Sequence, residues 1–390
     1  MPENIYRKMK IGFASRYDPR DKKTWSGIGY FTLQQLKQYG EVEIFQYPLP
    51  KWLQEWHTTQ KSINRRWFKK NTATEFLTSY AKYFSRKLTA DLKKRPVDVL
   101  FVMASSQMIA YVKTDIPIIY MTDATFQQLQ GYYHAFNNLA DYNIRRGIAL
   151  DKKAFQNASH CMLSSQWCAQ STIKDYGIAE NKISVVHMGA NLDAIPERAQ
   201  IDFEPKPNRC NLLFLAVEWE RKGGDIALEI FRRLKQQGVS VHLHIIGCVP
   251  PHQLSDEKNI TNIPFLNKNK KEDFHRLHEI LLQTDFLVLP TRAECAGIVY
   301  SEAAAYGIPS ITTNTGGIGD CVQDGVTGFT LPLSATATDY AELIVSILNS
   351  TDKQKSLKLA ARNYFEMEMN WNKWGSRFFE IAQNLISSKR

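Results

Sequence analysis

The sequence has no Cys-x-x-Cys pair, no Asp-x-Asp pair and no apolar run near the roughly 20 residues that span a bilayer. Its six cysteines are scattered along 390 residues, which predicts reduced, partly buried thiols rather than a disulfide framework or a zinc site. The polar start, followed by one short apolar burst, is typical of a first strand and not of a secretion signal. These absences predict a cytoplasmic protein without a metal site.

Positive charge is in excess, and it is concentrated in one segment. The net charge is +10, and Lys51–Arg95 alone has twelve Lys or Arg against three acids, a net +9. Aromatic residues alternate with these charges: Trp52, Trp56, Trp67, Phe68, Tyr80, Tyr83 and Phe84. Such a mixture suits an anionic partner, which can be lipid head groups, an anionic glycan or nucleic acid. The alternative is a solvated helix pair whose aromatic residues face the core.

Short apolar runs alternate with longer amphipathic stretches along the whole chain. The predicted strands are Lys10–Ala14, Val42–Gln46, Val97–Met103, Ile116–Tyr120, His160–Leu163, Ser184–His187, Asn211–Ala216, Val241–Ile246, Phe286–Leu289, Ser310–Thr312 and Gly328–Leu331. Segments between them, such as Gly224–Gln237 and Lys271–Gln283, have apolar residues at helical spacing. The alternation predicts an α/β protein with parallel sheets covered by helices on both faces.

The alternation is interrupted at Asn191–Asn208, where apolar residues become sparse and Pro196, Pro205 and Pro207 accumulate. This stretch predicts a linker, so we expect one doubly wound domain over residues 1–195 and a second over 205–369. The remaining segment, 370–390, contains several aromatic residues on a predicted helix that has to dock on one of the domains.

The first candidate functional motif contains two glutamates eight residues apart. A buried strand ends at Pro290, a loop follows with Glu294, and a helix starts near Gly297 and contains Glu302. Ligands of doubly wound sheets bind beyond the carboxyl ends of the strands. The helix start, at Gly297–Val299, offers free backbone N–H groups for a phosphate. Glu294 can accept hydrogen bonds from sugar hydroxyls, and Glu302 can bind the two hydroxyls of a ribose.

Two further motifs follow the first strand of each predicted domain. Arg221 and Lys222 stand before a glycine pair, where two cations can neutralise a diphosphate. The stretch Trp25-Ser-Gly-Ile-Gly29-Tyr leads into a helix, and its glycines let the backbone approach a ligand closely. A plain basic turn and a plain strand–helix turn are the alternatives for these two motifs.

Together these motifs resemble the family-4 retaining glycosyltransferases of the GT-B fold over essentially the whole chain. The most similar stretch is Pro290–Pro332, with the Glu-x7-Glu pair, Ala-Tyr-Gly-Ile-Pro, and Asp324-Gly-Val-Thr-Gly-Phe. The resemblance implies two Rossmann-like domains that face each other across a cleft, the first for the acceptor and the second for the donor. It also implies that the helix containing Trp371-Asn-Lys-Trp374 packs back on the first domain.

The resemblance further implies a donor site. Its residues are Gly29, Arg221, Lys222, Phe265, Leu266, Glu294, Gly297, Ile298, Val299 and Glu302. In that site Glu294 contacts the donor sugar, Glu302 the ribose, Arg221 and Lys222 the diphosphate, and the stretch around Phe265 the base. The catalytic residues are Glu294, Lys222 and Asp123. No cofactor is expected beyond a nucleotide-sugar co-substrate such as a UDP- or GDP-hexose.

Three features depart from the family pattern. Cys295-Ala296 replaces the usual aromatic residue after the first glutamate, Arg221 and Lys222 are adjacent rather than separated, and Thr122 stands where many relatives have histidine. We therefore assign Asp123 as a carboxylate that faces the acceptor or the sugar. Its alternative is a helix N-cap after the strand.

The sequence thus predicts a metal-independent, retaining hexosyltransferase that acts on a glycan, lipid-linked or surface-bound acceptor. We expect it to be cytoplasmic, peripheral at the inner membrane face through residues 51–95, and without nucleic acid as a partner. The alternatives are a sugar-nucleotide epimerase of the same fold and a non-enzymatic binder of anionic surfaces or nucleic acid. The residues leave open the donor base, the donor sugar, the acceptor and its linkage.

Overall fold

The computed structural model describes residues 8–206, 209–251, 254 and 257–388. They form two compact units, each described separately below. The first unit runs to Val186 and includes the chain from Trp371 onward, and the second comprises His187–Asn370. The predicted linker residues Pro207 and Asn208 lie outside the described residues.

The first unit contains a six-stranded parallel sheet with the strand order β2-β1-β3-β4-β5-β6. Its strands are β1 (Met9–Ser15), β2 (Gly40–Phe45), β3 (Val99–Met103), β4 (Ile118–Thr122), β5 (His160–Leu163) and β6 (Ile183–Val185). Its helices before the second unit are α1 (Ile28–Tyr39), α2 (Lys51–Trp67), α3 (Thr78–Lys94), α4 (Ser106–Ile109), α5 (Phe126–Leu129), α6 (Asp141–Asn157) and α7 (Gln166–Lys174).

The second unit repeats this architecture with the strand order β12-β11-β10-β7-β8-β9, again parallel throughout. Its strands are β7 (Arg209–Leu215), β8 (Ser240–Ile246), β9 (Ile260–Ile263), β10 (Phe286–Leu289), β11 (Ser310–Thr313) and β12 (Gly328–Leu331). Its helices are α8 (Trp219–Lys222), α9 (Gly224–Gln236), α10 (Lys271–Gln283), α11 (Ile298–Ala305), α12 (Ile318–Cys321), α13 (Ala337–Leu348) and α14 (Thr351–Met367).

The central strands read as continuous apolar runs because helices cover both faces of each sheet. Every residue of β3 and of β10 is buried, as expected for parallel strands between two helical layers. Each sheet reverses its strand order once. In the first unit the reversal lies between β1 and β3, and in the second between β7 and β10. Such switch points are where doubly wound sheets bind ligands, beyond the carboxyl ends of the strands.

The last helix, α15 (Trp371–Ser387), belongs to the first unit, in which it packs against α1. Trp374 is fully buried, lies parallel to Phe378 with ring centroids 5.9 Å apart, and meets Phe101 of β3 edge-on at 5.5 Å. The aromatic residues of this segment therefore form part of the first unit's core.

Residues 187–195, which the sequence analysis assigns to the first domain, lie in the second unit. Ala190 and Leu192 are buried in that unit's core, and the Ser301 hydroxyl donates a hydrogen bond of 2.9 Å to the Met188 carbonyl. The predicted boundary was thus too late. The proline-rich stretch follows a segment that is already packed in the second unit.

All eleven predicted strands are present, and a twelfth, β9, was missed. Its sequence, Ile-Thr-Asn-Ile, is half polar because β9 is an edge strand in which three of four residues are only partly buried. No helix within the described ranges is both long and apolar enough to cross a bilayer. All six cysteines are buried, and none of them forms a disulfide.

Candidate functional site

The switch point of the second sheet brings together the loops that follow β7 and β10, two adjacent strands. The β7 loop contains α8, and it ends in a tight turn at Gly223 with φ +77°. A Cβ atom at Gly223 would lie 2.1 Å from the Pro290 carbonyl oxygen, so only glycine fits between the two loops. This close approach places the end of α8 against the start of the loop that contains Glu294.

Lys222 and Glu294 form an ion pair across these two loops, in contact through Nζ and Oε2. Each residue is only 8% exposed. Two charged groups that are buried together stabilise each other, whereas either one buried alone would be costly. The pair therefore places an acidic and a basic side chain side by side at the edge of the sheet.

Arg221 fixes the same two loops to each other. Its guanidinium donates to the Ala293 carbonyl at 2.8 Å and to both carboxylate oxygens of Glu218 at 3.0 Å. It also lies 3.8 Å from Glu294. The Arg292 N–H and the Thr291 hydroxyl both donate to the Arg221 carbonyl, at 2.7 and 3.1 Å. Arg221 therefore combines a positive charge at the site with a structural role.

The helix α11 begins beside Glu294. Gly297 is its N-cap residue, and a Cβ atom there would lie 2.5 Å from the Tyr300 ring and 3.3 Å from Glu294 Cγ. The first two backbone N–H groups of the helix, those of Ile298 and Val299, have no partner within the helix. This end of α11 offers the positive end of the helix dipole. Burial, together with the Glu294 charge, raises the pKa of Tyr300 well above its usual value.

Glu302 lies on the second turn of α11, is 2% exposed, and forms an ion pair with Lys268. Lys268 follows β9, on the segment that leads into α10. The second glutamate thus also has a lysine partner, although the side chain of Lys268 is 36% exposed. The sequence analysis included Phe265 and Leu266 of this segment but missed Lys268, because a lysine within a polar stretch looks like an ordinary solvated residue.

The other predicted donor-site residues of this unit differ in exposure. Phe265 is 68% exposed, whereas Leu266 packs partly against the core. Both precede Lys268 on the same segment. Cys295 and Ala296 are buried at 2% and 8%, so the small residues between Glu294 and Gly297 leave no aromatic group at that position.

Gly29 and Asp123 lie in the first unit. The loop before α1 has three consecutive left-handed residues, Trp25, Ser26 and Gly27, with φ +47°, +54° and +85°. Non-glycine residues rarely adopt this conformation, and where they do the site is often functional. Gly29 is buried in the first turn of α1, where a Cβ atom would lie 3.1 Å from Met103.

Asp123 lines a cavity of about 170 Å³ beyond the carboxyl ends of β1, β3 and β4. The cavity combines charged groups with aromatic rings, and its lining includes Arg16, Glu75, Trp25, Phe76 and Phe136. The N-cap alternative for Asp123 is wrong, because the cap of α5 is Thr125, which forms a capping box with Gln128.

Asp151 also lines this cavity, and the sequence analysis did not single it out. Its carboxylate accepts a hydrogen bond of 2.8 Å from the Phe126 N–H. Burial raises its pKa to about 6. A single Asp within an amphipathic helix has no distinctive sequence signal, since an exposed position is far more common for it.

Of the eleven predicted site residues, nine lie in the second unit and two, Gly29 and Asp123, in the first. Within the described part of the chain, no group of three or more His, Cys, Asp or Glu side chains could hold a metal ion. Metal independence stays a prediction.

Comparisons with known proteins match both units. Residues 40–194 match the model of "Glycosyltransferase Family 4", and residues 197–364 match that of "Glycosyl transferases group 1". A curated relative, an uncharacterized 41.2 kDa protein in the cps region of Klebsiella pneumoniae, is 25% identical over 215 residues, which are 53% of this chain. The chain spans 57% of that relative's length.

Solved structures resemble the whole chain. A glycosyltransferase from Rickettsia africae has a TM-score of 0.64 at 16% identity and covers 98% of this chain and 99% of its own. HepE of Anabaena, in complex with UDP and glucose, has a TM-score of 0.62 at 15% identity, with 96% and 100% covered. These structures confirm the predicted GT-B fold. With family models matching both units, the chain belongs to the group 1 glycosyltransferases with a family-4 first domain.

Proposed function

We propose that the protein transfers a hexosyl unit from a nucleotide-diphosphate sugar to a glycan, lipid-linked or surface-bound acceptor. The observation that carries this proposal is the buried Lys222–Glu294 pair at the switch point of the second sheet. It stands between Arg221 and the start of α11. The UDP and glucose in the HepE structure support the same class of donor.

In our proposal, Lys222 and the start of α11 stabilise the negative charge that develops on the leaving diphosphate. Lys222 has three N–H donors, of which Glu294 uses one or two, so the others remain for phosphate oxygens. The helix start at Ile298–Val299 adds backbone N–H groups and the positive dipole end. Groups that are already in position stabilise developing charge without reorganisation. They take the place of a divalent cation, so we propose a metal-independent reaction.

The two glutamates orient the donor. In our proposal Glu294 accepts hydrogen bonds from hydroxyls of the sugar, and Glu302 accepts them from the ribose. Lys268 then exchanges part of its contact with Glu302 for the bound nucleotide. Phe265, exposed on the segment before Lys268, packs against the base. Carboxylates beside hydroxyls and an aromatic ring beside a base are the usual contacts of such ligands.

The first-unit cavity supplies the acceptor side. Its aromatic rings suit the apolar face of a sugar, and its carboxylates, with Asp123 among them, suit hydroxyl groups. In our proposal Asp123 faces the acceptor hydroxyl or the reacting sugar.

The transfer we propose retains the anomeric configuration. The bond between the anomeric carbon and the diphosphate oxygen breaks, and a bond to the acceptor oxygen forms on the same face. The acceptor proton passes to the leaving diphosphate, so the chain contributes orientation and charge stabilisation rather than a dedicated base. We further propose that the enzyme works in the cytoplasm at the inner membrane face, with no nucleic acid as a partner.

Transfer to a simple acceptor tests this function. The full chain is incubated with radiolabelled UDP- and GDP-hexoses and a panel of octyl glycosides, and the products are separated and their anomeric configuration is read by NMR. We expect a new glycoside of the donor's own configuration, insensitive to EDTA, and at least about 100-fold slower formation by Glu294→Gln. The exposed substitution Lys235→Met is the matched control.

Two outcomes would reject the proposal. An isomerised nucleotide sugar, formed with donor alone and without transfer, would identify a sugar-nucleotide epimerase instead. Equal product from the wild type and from Glu294→Gln would remove the donor site from the reaction.

A further inference from the structure

The helix α2 displays an apolar stripe that no part of its own unit covers. Trp52, Trp56, Ile63 and Trp67 are 65%, 62%, 46% and 75% exposed. At 100° per residue they fall within an arc of about 60° on one side of the helix. These four residues are called the tryptophan stripe below. An exposed row of this kind is uncommon on a soluble surface and marks an interaction site.

The orientation of the stripe is fixed by the adjacent face of the helix, whose centre lies about 90° away from the stripe. Leu53 is buried, the His57 ring lies parallel to Tyr80 at 5.3 Å, and His57 Nε2 is 3.1 Å from the Ser79 hydroxyl. Asn64 donates a hydrogen bond of 2.7 Å to Thr72. The tryptophans are therefore exposed because α2 is anchored by other residues.

The remaining exposed surface of α2 is basic. Lys51, Lys61, Arg65 and Arg66 are all exposed, against the single acid Glu55. Lys69, just beyond the helix, is exposed as well. The helix thus combines one apolar strip with a basic face: Arg66 lies nearest the strip, and Lys51, Lys61 and Arg65 lie on the far side of the helix. This is the pattern of a helix that lies in the plane of a membrane interface.

The neighbouring helix α3 is also basic, but its aromatic side chains do not form an exposed row. Its Lys82, Arg86 and Lys87 are exposed, but Phe84 is buried and Tyr80 packs against the core. Each of the two alternatives that the sequence left open for residues 51–95 therefore applies to one helix. The aromatic residues of α3 face the core, and those of α2 face outward.

We propose that α2 is a bilayer contact: the tryptophan stripe enters the boundary between head groups and acyl chains, and the Lys and Arg residues of the polar face bind anionic lipid head groups. Tryptophan is preferred at this depth because its ring is apolar while its N–H remains solvated. Lys and Arg extend their charged ends toward the head groups. The helix, about 25 Å long at 1.5 Å per residue, lies flat.

Other occupants fit this surface less well. The aliphatic Ile63 within the stripe offers nothing to a nucleobase, whereas a bilayer accepts it together with the indoles. A second copy of the chain that packed stripe against stripe would bring two sets of cations together, with one Glu55 each to compensate. A bilayer with anionic lipid complements both the apolar and the basic part.

The purpose of this contact, which is to bring the enzyme to a lipid-linked acceptor, rests on the proposed function, but its existence does not. Its test needs neither donor nor transfer, so the two proposals fail separately. Vesicles of phosphatidylcholine, with and without phosphatidylglycerol, are sedimented with the full chain. Three variants are compared: W52S/W56S/W67S, K61Q/R65Q/R66Q, and K93Q/K94Q as a control at exposed positions near the end of α3.

We expect the wild type and the control to bind vesicles that contain phosphatidylglycerol, with a blue-shifted tryptophan emission. The tryptophan variant is expected to bind at least about tenfold more weakly, with unchanged circular dichroism. The charge variant is expected to lose the dependence on phosphatidylglycerol and most of its binding. Unchanged vesicle binding by the tryptophan variant would overturn the proposal. So would a wild-type dimer that this variant dissociates, or binding to polyuridylate as tight as to vesicles.

Discussion

At the scale of single residues, the proposed donor site contains two buried glutamates, each with a lysine partner. Glu294 is paired with Lys222, which is as buried as the glutamate itself, while Glu302 is paired with the partly exposed Lys268. Breaking a buried ion pair costs more than a partly solvated one, because the remaining charge cannot be hydrated. The Lys222–Glu294 pair is therefore the more rigid, and in our proposal it lies where the diphosphate charge develops.

Replacing Lys222 by Met should lower kcat by about 100- to 1,000-fold, because a positioned cation is lost at the leaving group. KM for the nucleotide sugar should rise as well, since the charge also acts in the ground state. Steady-state kinetics with a nucleotide sugar and an octyl glycoside measure both quantities. Lys235→Met, exposed on α9, should leave both within about twofold. An unchanged kcat for Lys222→Met would contradict its role.

The effect of removing Lys268 on the free energy of unfolding tests the Lys268–Glu302 pair. Lys268→Met leaves the Glu302 carboxylate buried without its ion-pair partner, which should cost about 1–3 kcal/mol of unfolding free energy. In the double variant K268M/E302Q the buried charge is absent too, and most of that loss should be recovered. Urea unfolding of the three proteins measures the difference. A double variant no more stable than the single one would contradict this account.

Asp151 predicts a pH dependence of stability. Its pKa is raised to about 6 in the folded chain, mainly by burial, so the folded state binds its proton more tightly than the unfolded state does. The stabilisation is present below pH 4 and is lost as the pH rises to 6. Asp151→Asn keeps an acceptor for the Phe126 N–H but has no charge to bury. Urea unfolding at several pH values should show that the free energy of unfolding of the variant rises relative to that of the wild type between pH 4 and 7. A difference in unfolding free energy that does not change with pH would contradict this.

At the scale of elements, the turn between α8 and α9 decides whether the two loops of the proposed donor site meet. Gly223→Ala should lower stability and activity together, because its Cβ atom would lie 2.1 Å from the Pro290 carbonyl in addition to the strain of φ +77°. Gly238→Ala is the matched control, with φ +83° and no atom within 4 Å. It should cost only about 1 kcal/mol. Thermal unfolding measures the Tm of both variants. Equal decreases in Tm would refute the role of the close contact.

The fold was predictable wherever burial is complete. The strand Phe286–Leu289 is apolar throughout because helices cover both faces of the sheet, and both of its ends were predicted to the residue. The edge strand β9 was not predictable, since half of its four residues are polar and solvent replaces one neighbour. The domain boundary was placed too late for a related reason. Two isolated apolar residues, Ala190 and Leu192, are too few to show a periodicity from which their packing could be inferred.

The donor-site prediction reached those residues that stand in a strand–loop–helix pattern. Lys222 and Glu294 are in contact because the strands before them are adjacent, which the edge rule for parallel sheets anticipates. Lys268 and Asp151 were missed because each depends on contacts between distant segments. A lysine within a polar stretch and an aspartate on an amphipathic helix look like ordinary solvated residues in sequence.

At the scale of the whole molecule, the chain leaves the first unit at Val186 and returns to it at Trp371. The second unit is thus inserted between two parts of the first. Trp374→Ala should destabilise the first unit by about 3–5 kcal/mol, because a fully buried indole between Phe378 and Phe101 is lost. Gln383→Ala, exposed on the same helix, should have little effect. Unfolding monitored by calorimetry checks this, and a Trp374→Ala protein as stable as the control would contradict it.

The most direct test of the central claim is calorimetric titration of the full chain with UDP and GDP, for the wild type, Lys222→Met and Lys235→Met. The donor site we propose predicts that at least one nucleotide binds the wild type and Lys235→Met at a single site with equal affinity. It predicts at least about tenfold weaker binding to Lys222→Met. Equal affinity for all three proteins, or no binding of either nucleotide to the wild type, would contradict the claim that a nucleotide-diphosphate sugar binds at Lys222 and Glu294.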